Sequence, residues 1–488
     1  MRTQSLLALL ALTACGGDGS STPDAGRPID AAPGGDASGT DAPGPGDASV
    51  DGPVTDGPVI PASASRVWAV GDLFVNNSSV VGGFLDSATT PPTFPFGNAT
   101  ATPLGIPGGT AKILGENAFD ATATKTAFLA DIAVAGRFDL YVAGPAGENP
   151  VMLVQGAAPV DLTAVALSPD GTKVAYTMDS AAADGAYDLY VVNTAGTPVS
   201  TRVSPARPAL AATPADLDVS AGFTWSSNST YLAFVADLTD NAYNQVYVVN
   251  TSAATPVAVE LLPRATITAT TGARGFSGAL AFDASNNVYF RARLAEGGQF
   301  EMFSATVTGT RTPFALPART DASAPDASAF AITPDGAKIV FQADSPTLGT
   351  YNLFAQTIGQ ATTTNLTNLA AVGQIPHTST IAFSPDATKI AVVATYAIAE
   401  RRNPYVINVD GSGMHRLAVI PATLVSSDFE SVAWTVDGTR IYAVADYEAN
   451  NDGHAYTLDP AMTDQAPTLA VTTPVSGDVF RVLVRAAQ

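Results

Sequence analysis

The chain of 488 residues has one cysteine, three histidines and three tryptophans. A single thiol, Cys15, excludes an internal disulfide and a zinc site built from several cysteines. His377, His415 and His454 stand far apart with no His-Glu-x-x-His spacing, so neither a zinc hydrolase nor a Ser-His-Asp triad has support. Positive charge is also scarce. There are 23 Lys and Arg against 44 Asp and Glu, a formal charge of −21, which argues against nucleic acid and against docking on anionic lipid. Beyond the N-terminus no run approaches the roughly 20 apolar residues that cross a bilayer. The best stretch, 390–399, is interrupted by Thr395 and Tyr396 and reads as a buried strand. A sustained helical period is missing too.

What is present begins at the N-terminus. Met1-Arg2 gives a positive start, residues 6–12 an apolar stretch, and Leu12-Thr13-Ala14-Cys15 a small-residue cleavage site. This resembles the bacterial lipoprotein signal, which is cut just before the cysteine and whose thiol takes a diacylglyceryl group. The resemblance implies a signal peptide over 1–14, lipidation at Cys15, and a lipid anchor in a bacterial cell envelope. The expected place is the outer membrane, with the head periplasmic or surface-exposed. Several acyl chains on one residue anchor durably, where a single chain does not. An ordinary secretory peptide with an incidental cysteine is the alternative. Residues 16–61 are almost wholly Gly, Ala, Pro, Ser, Thr and Asp, with eight acids, one base (Arg27) and no aromatic residue. Such a segment cannot bury enough apolar surface to offset its ordering entropy, so 15–62 is expected to be a lipidated, disordered linker. Its mean span is on the order of 40 Å if Gly-rich statistics apply.

From about residue 63 short Val, Ile, Ala, Phe and Tyr runs alternate with Gly, Pro, Asn and Asp clusters, the pattern of strands and turns. One phrase recurs seven times: apolar strand, tight turn, apolar strand, polar loop, aromatic strand. Its turns align on Asp120, Ser168, Ser226, Asp283, Thr333, Ser384 and Thr435, about 50 residues apart. Pro169-Asp170-Gly171, Pro334-Asp335-Gly336 and Pro385-Asp386 supply the turn chemistry, Pro presetting φ and the polar residue before it capping the turn. Val436-Asp437-Gly438 keeps part of it, while Ala121-Thr122 and Ser227-Asn228 have drifted. An eighth, partial unit holds Val67-Trp68-Ala69-Val70 and Val80-Val81-Gly82-Gly83-Phe84-Leu85, and lacks a first strand; the lone run 479–484 at the C-terminus would supply it. The period predicts an all-β chain folded as a single β-propeller of four-stranded blades over 63–488. Eight blades are expected, or seven if the last run merely flanks the ring.

The turn phrase Ser168-Pro169-Asp170-Gly171-Thr172-Lys173, followed by Asp188-Leu189-Tyr190-Val191-Val192-Asn193, resembles the repeat of TolB-type β-propellers. It returns as Thr333-Pro334-Asp335-Gly336-Ala337-Lys338 with Asn352-Leu353-Phe354, and as Ser384-Pro385-Asp386-Ala387-Thr388-Lys389 with Asn403-Pro404-Tyr405. Proteins of that type carry fewer blades and a folded domain ahead of them, so a part in the Tol–Pal system is not implied. Propellers of the prolyl-oligopeptidase kind are similar as well, but their hydrolase domain needs a Gly-x-Ser-x-Gly elbow. Here the nearest match, Gly275-Phe276-Ser277-Gly278-Ala279, ends in Ala and reads as a loop. The Ser-x-Asp-x-Gly turns also resemble the sialidase Asp-box, but their Pro and the missing Trp fit the TolB type better.

Chemistry is concentrated in acids. Asp131, Asp179, Asp237, Asp344 and Asp446, with Asp72, each end a second strand, and Asp139, Asp188, Gln245, Glu301, Asn352, Asn403 and His454 precede the third-strand aromatic. They make one acidic crown, able to hold a cation, an amine or a basic peptide. Asx-type capping of the loop backbone explains the same residues, and its recurrence in nearly every unit favours that role. Residues 446–457 offer oxygens at alternate positions, yet place Asn451 and Thr457 where a calcium loop has Gly and Glu, so no metal is assigned. Arg291, Arg293, Arg401 and Arg402 suit a carboxylate or uronic acid but have many local acids to pair with. The expectation is a monomeric binding or scaffold module for an envelope or extracellular protein or glycan, with no cofactor. A propeller enzyme, such as a polysaccharide lyase or glycosidase working in the central funnel, is the alternative.

Overall fold

The computed structural model describes residues 65–71, 80–86 and 111–486, the last less 113–117, 123, 132, 135–136, 145–148, 157–161, 180–185, 207–217, 239–242, 264–265, 268–274, 296–297, 369–380, 397–400, 421–427, 448–452 and 472–478. The signal segment, Cys15, the linker, Asp72 and His377 lie outside the described residues.

Among the described residues the strands form eight antiparallel sheets that follow one another along the chain. The third is the pattern for the rest: Leu162–Leu167 pairs with Lys173–Asp179, that with Tyr187–Asn193, and that with Thr201–Arg202. In the second sheet Thr126–Ala130 and Asp139–Ala143 are buried at every position, as are Ile441–Ala445 and His454–Leu458 in the eighth. A strand buried at successive residues is covered on both faces. The covering is supplied by neighbouring sheets. Leu129 shares a core with Leu167, Ala166 with Phe234, Val235 with Phe290, Tyr289 with Phe341, Val340 with Ile390, and Val393 with Trp434. Among the described residues each of the second to eighth sheets shares its core with a neighbour. The architecture is the β-propeller that the repeated phrase implies.

The two ends of the folded region meet in the first sheet. Ser65–Gly71 pairs on one side with Val80–Asp86 and on the other with the C-terminal Val479–Ala486, Ser65 facing Ala486. That last strand takes the place of the missing first strand and also lies against Phe429–Trp434 of the eighth sheet.

Two devices recur inside the sheets. Across the second and third strands an aromatic pair stacks at matched register positions: Phe128 on Tyr141, Tyr176 on Tyr190, Phe234 on Tyr247, Phe290 on Phe303 and Phe341 on Phe354. Such pairs contribute about 0.5–1.5 kcal/mol beyond their buried area. Between sheets, two tryptophans act as clasps. Trp225 Nε1 donates to the Ala166 carbonyl at 3.1 Å, and Trp434 Nε1 to the Ala382 carbonyl at 3.0 Å.

The turns explain their own sequence. Ser168 Oγ donates to Asp170 Oδ1 at 2.6 Å and accepts the Lys173 amide, while Asp170 Oδ1 also accepts the Thr172 amide. Gly171, Gly336 and Gly438 exit at φ of 66°, 68° and 70°, where glycine has no Cβ to clash. Thr333 with Asp335, Ser384 with Asp386, and Thr435 with Asp437 repeat these bonds. The hydroxyls of Thr333 and Ser384 and the following amides hold the Asp335 and Asp386 carboxyls below the usual carboxylate range. For Asp170 and Asp437 burial pushes upward, and the hydrogen bonds outweigh it. A carboxyl lowered in the folded state stabilises above its unfolded value and loses that contribution as pH falls through the folded one. The melting temperature should therefore be flat above pH about 5 and fall steeply below about 4. In an Asp335→Ala/Asp386→Ala double variant the neutral value should drop and the acid fall become shallower; an unchanged acid limb would remove the turns from the account.

Candidate functional site

The five second-strand acids do not share one environment. Asp179 and Asp344 are buried, at 4% and 2% exposure, whereas Asp131, Asp237 and Asp446 are partly exposed. Asp237 Oδ1 accepts the Asp218 amide at 2.8 Å, and the Asp237 amide donates back to the Asp218 carbonyl at 3.0 Å. Asp344 does the same with Asp326, at 2.6 and 3.1 Å. The Asp446 amide donates to the Asp428 carbonyl at 3.2 Å. Asp237 and Asp344 therefore tie the open end of the hairpin between the first and second strands with their carboxylates, as Asx-type capping does, while the Asp446 bond is made by the backbone.

Asp326 and Asp428 pass the connection to the preceding sheet. Asp326 Oδ1 accepts the Phe300 amide at 2.8 Å, and the Phe300 carbonyl accepts the Ala327 amide at 2.9 Å. In the next-but-one junction Asp428 and Phe429 grip both backbone groups of Arg402 in the same way. Asp326 also takes the Tyr351 hydroxyl at 2.8 Å; burial and that carboxylate push the phenol well up, so it stays a donor. Sequence reading missed Asp218, Asp326 and Asp428. Their signal was present, since each precedes its partner by 18 or 19 residues.

Asp344 has a further partner, distant in the chain. Arg319, buried in the segment leading to the sixth sheet, reaches Asp344 Oδ2 with Nη1 at 3.3 Å and Asp321 with Nη2 at 2.9 Å. Residues ahead of the third strand are likewise engaged. Asp139 holds Arg137 through two bonds of 2.9 Å and accepts the Gly156 amide, and Asp188 accepts Arg202 at 2.7 Å and the Ser204 hydroxyl. Asn352 accepts the Thr367 hydroxyl, and Asn403 the Ile420 amide. All four fasten the start of the third strand to the exit of the fourth.

Arg291 bonds the Ser277 carbonyl and hydroxyl and the Ala327 carbonyl, and lies 4.5 Å from the Phe300 ring centre; burial lowers its basicity. Ser277, in the near-match to a nucleophile elbow, stands between Gly275–Phe276 and Ala281–Phe282, two pieces of an interrupted first strand. Its hydroxyl faces a guanidinium rather than a base, the reverse of what an activated serine needs. Arg402 pairs with Asp428 at 2.9 Å. Part of the 446–457 loop lies outside the described residues. Among the described residues no three His, Cys, Asp or Glu converge as a metal site.

No protein-family pattern matches the chain, and no curated protein does. Among solved structures, an oligogalacturonate lyase in complex with manganese is 15% identical with a TM-score of 0.45, covering 72% of this chain and 90% of that one. TolB from Acinetobacter baumannii is 15% identical at 0.33, over 60% and 63%. The β-propeller domain of the Trilobed protease from Pyrococcus furiosus is 10% identical at 0.41, over 74% and 97%. Likeness of this degree says nothing about activity.

Proposed function

We propose that the propeller is a rigid binding scaffold that presents the loops of one edge to a protein or glycan of a bacterial cell envelope, held there by a lipid anchor on Cys15. The observation that supports the binding role is the use made of the repeated polar residues. Asp139, Asp188, Asp237, Asp326, Asp344 and Asp428 are engaged in bonds that close hairpins or join neighbouring sheets. Groups committed to holding the ring are poorly placed to act as acids, bases or nucleophiles, so specificity falls to loops that differ between units.

Capture from envelope extracts and on glycan arrays with the full-length protein tests this reading. The expected outcome is saturable retention of one protein or one glycan class, without turnover. Release of unsaturated or shortened products from oligogalacturonate or another polysaccharide would overturn it in favour of the enzyme. The anchor is tested separately: Cys15→Ser should move the protein from the detergent phase to the aqueous phase, and unchanged partitioning would count against lipidation.

A further inference from the structure

Between the sixth and seventh sheets a cleft of about 390 Å³ opens among Lys338, Gln356, Thr357, Gln360, Thr364 and Asp410, floored by Ala355 and Val409. It lies beside the turns, at the opposite strand ends from the acids discussed above. The same position between the third and fourth sheets holds only about 130 Å³, lined by Lys173, Val191, Asn193, Thr201 and Thr251 among others. There Lys173 Nζ bridges the gap, donating to the Thr251 and Ser252 hydroxyls at 3.2 and 2.9 Å. One sheet earlier Lys125 likewise reaches the Gly171 carbonyl at 2.9 Å and Thr194 at 3.4 Å. Lys338 is the equivalent residue, and across its wider cleft stands the Asp410 carboxylate in place of Ser252.

The floor carries the sharper departure. Two residues after the third-strand aromatic, the second to fifth, seventh and eighth sheets place Ala143, Val192, Val249, Ala305, Ile407 and Leu458, all buried. The sixth sheet alone puts a glutamine there. Gln356 is 8% exposed; its Nε2 donates to the Gln360 carbonyl, and its Oε1 is buried with no hydrogen-bond partner. An unsatisfied buried amide oxygen is costly, and the repeat offers an apolar residue that would avoid the cost. A polar residue kept where six sheets bury an apolar one has the asymmetry that recognition needs.

The geometry points to this cleft as a binding site for a neutral polyhydroxylated ligand, a single sugar unit. A hydroxyl both donates and accepts, which suits a wall that mixes an ammonium, a carboxylate, two amides and threonine hydroxyls with no net charge. The volume falls in the range of small-molecule sites.

Titrating the full-length protein with neutral hexoses and N-acetylhexosamines, read by calorimetry and ligand-observed NMR, tests it. At least one sugar should bind saturably, and Gln356→Val and Lys338→Met should each weaken it by about tenfold or more. Gln356→Val should melt no lower than the parent, because it restores the residue of the other sheets. If that variant does not fold, the partly exposed Lys338→Met decides alone. Absence of saturable sugar binding, affinity undiminished in the folded variants, or binding only of amino acids or uronates would overturn the assignment.

Discussion

A chain shortened to residues 1–474 should fail to unfold cooperatively and should aggregate. The deletion removes Val479–Ala486, whose backbone pairs with Ser65–Gly71 along its whole length and which also lies against Phe429–Trp434. Two losses follow at once. Ser65–Gly71 becomes an open edge, a template for pairing with other chains. The eighth sheet loses the neighbour that covers one of its faces, and strands buried on both sides, such as Ile441–Ala445, cannot stand half-wetted. The combined cost should rival the whole stability of an ordinary domain, about 5–15 kcal/mol. A synthetic peptide of residues 475–488, added during refolding, should restore a single melting transition. A truncated chain that melts like the parent would show that the last strand is an ornament.

Gly336→Ala should be the most damaging single methyl in the described turns. Gly336 sits at φ 68°, where an alanine costs about 1–2 kcal/mol. The larger obstacle is the neighbouring sheet: the new Cβ would lie 2.4 Å from the Ala284 nitrogen and 2.7 Å from the Ala284 Cβ. Overpacking against a fixed backbone adds about 1–3 kcal/mol, so a total loss of about 2–5 kcal/mol is expected. Gly359→Ala is the control. Its φ is 84° with nothing within 4 Å of the new methyl, so it should show the dihedral cost alone, about 1–2 kcal/mol. Ala387 already adopts φ 55° at the position equivalent to Gly336, which shows that this turn accepts a methyl where the neighbour leaves room. Urea midpoints at unchanged m-value measure both. Equal losses at Gly336 and Gly359 would refute the contact between sheets.

The turns were legible because their bonds close within six residues. Even the drifted copy keeps them. Ser226 Oγ donates to Asn228 Oδ1 at 2.7 Å and accepts the Tyr231 amide, with Ser229 taking φ 58° in the glycine position. At Asp120 and Asp283 the carboxylate itself does the serine's work, accepting the amides of Lys125 and Asn287. The pairing of Val479–Ala486 with Ser65–Gly71 was readable for a different reason, since an unpartnered strand and a unit lacking one complete each other.

The candidate site was less readable, because its meaning depends on residues distant in the chain. That Asp344 ends a strand is local; that Arg319, 25 positions earlier, holds it is not. Asp326 and Asp428 reach back across a sheet boundary to Phe300 and Arg402, and only the alignment of several units exposes their constant spacing. Gln356 was visible to the same comparison of third strands. What the comparison could not supply was the empty volume beside it, set by how far two sheets stand apart.

Pairing Ser65 with Ala486 places the beginning and the finish of the folded region side by side. A circular permutant joining them through a few glycines, and opened instead at a solvent-facing bend such as Gly196 or Gly359, would keep every sheet while moving the cut to another wedge. A label fused after Gln488 would sit beside the point where residue 65 enters, leaving the opposite strand ends unobstructed for whatever docks there.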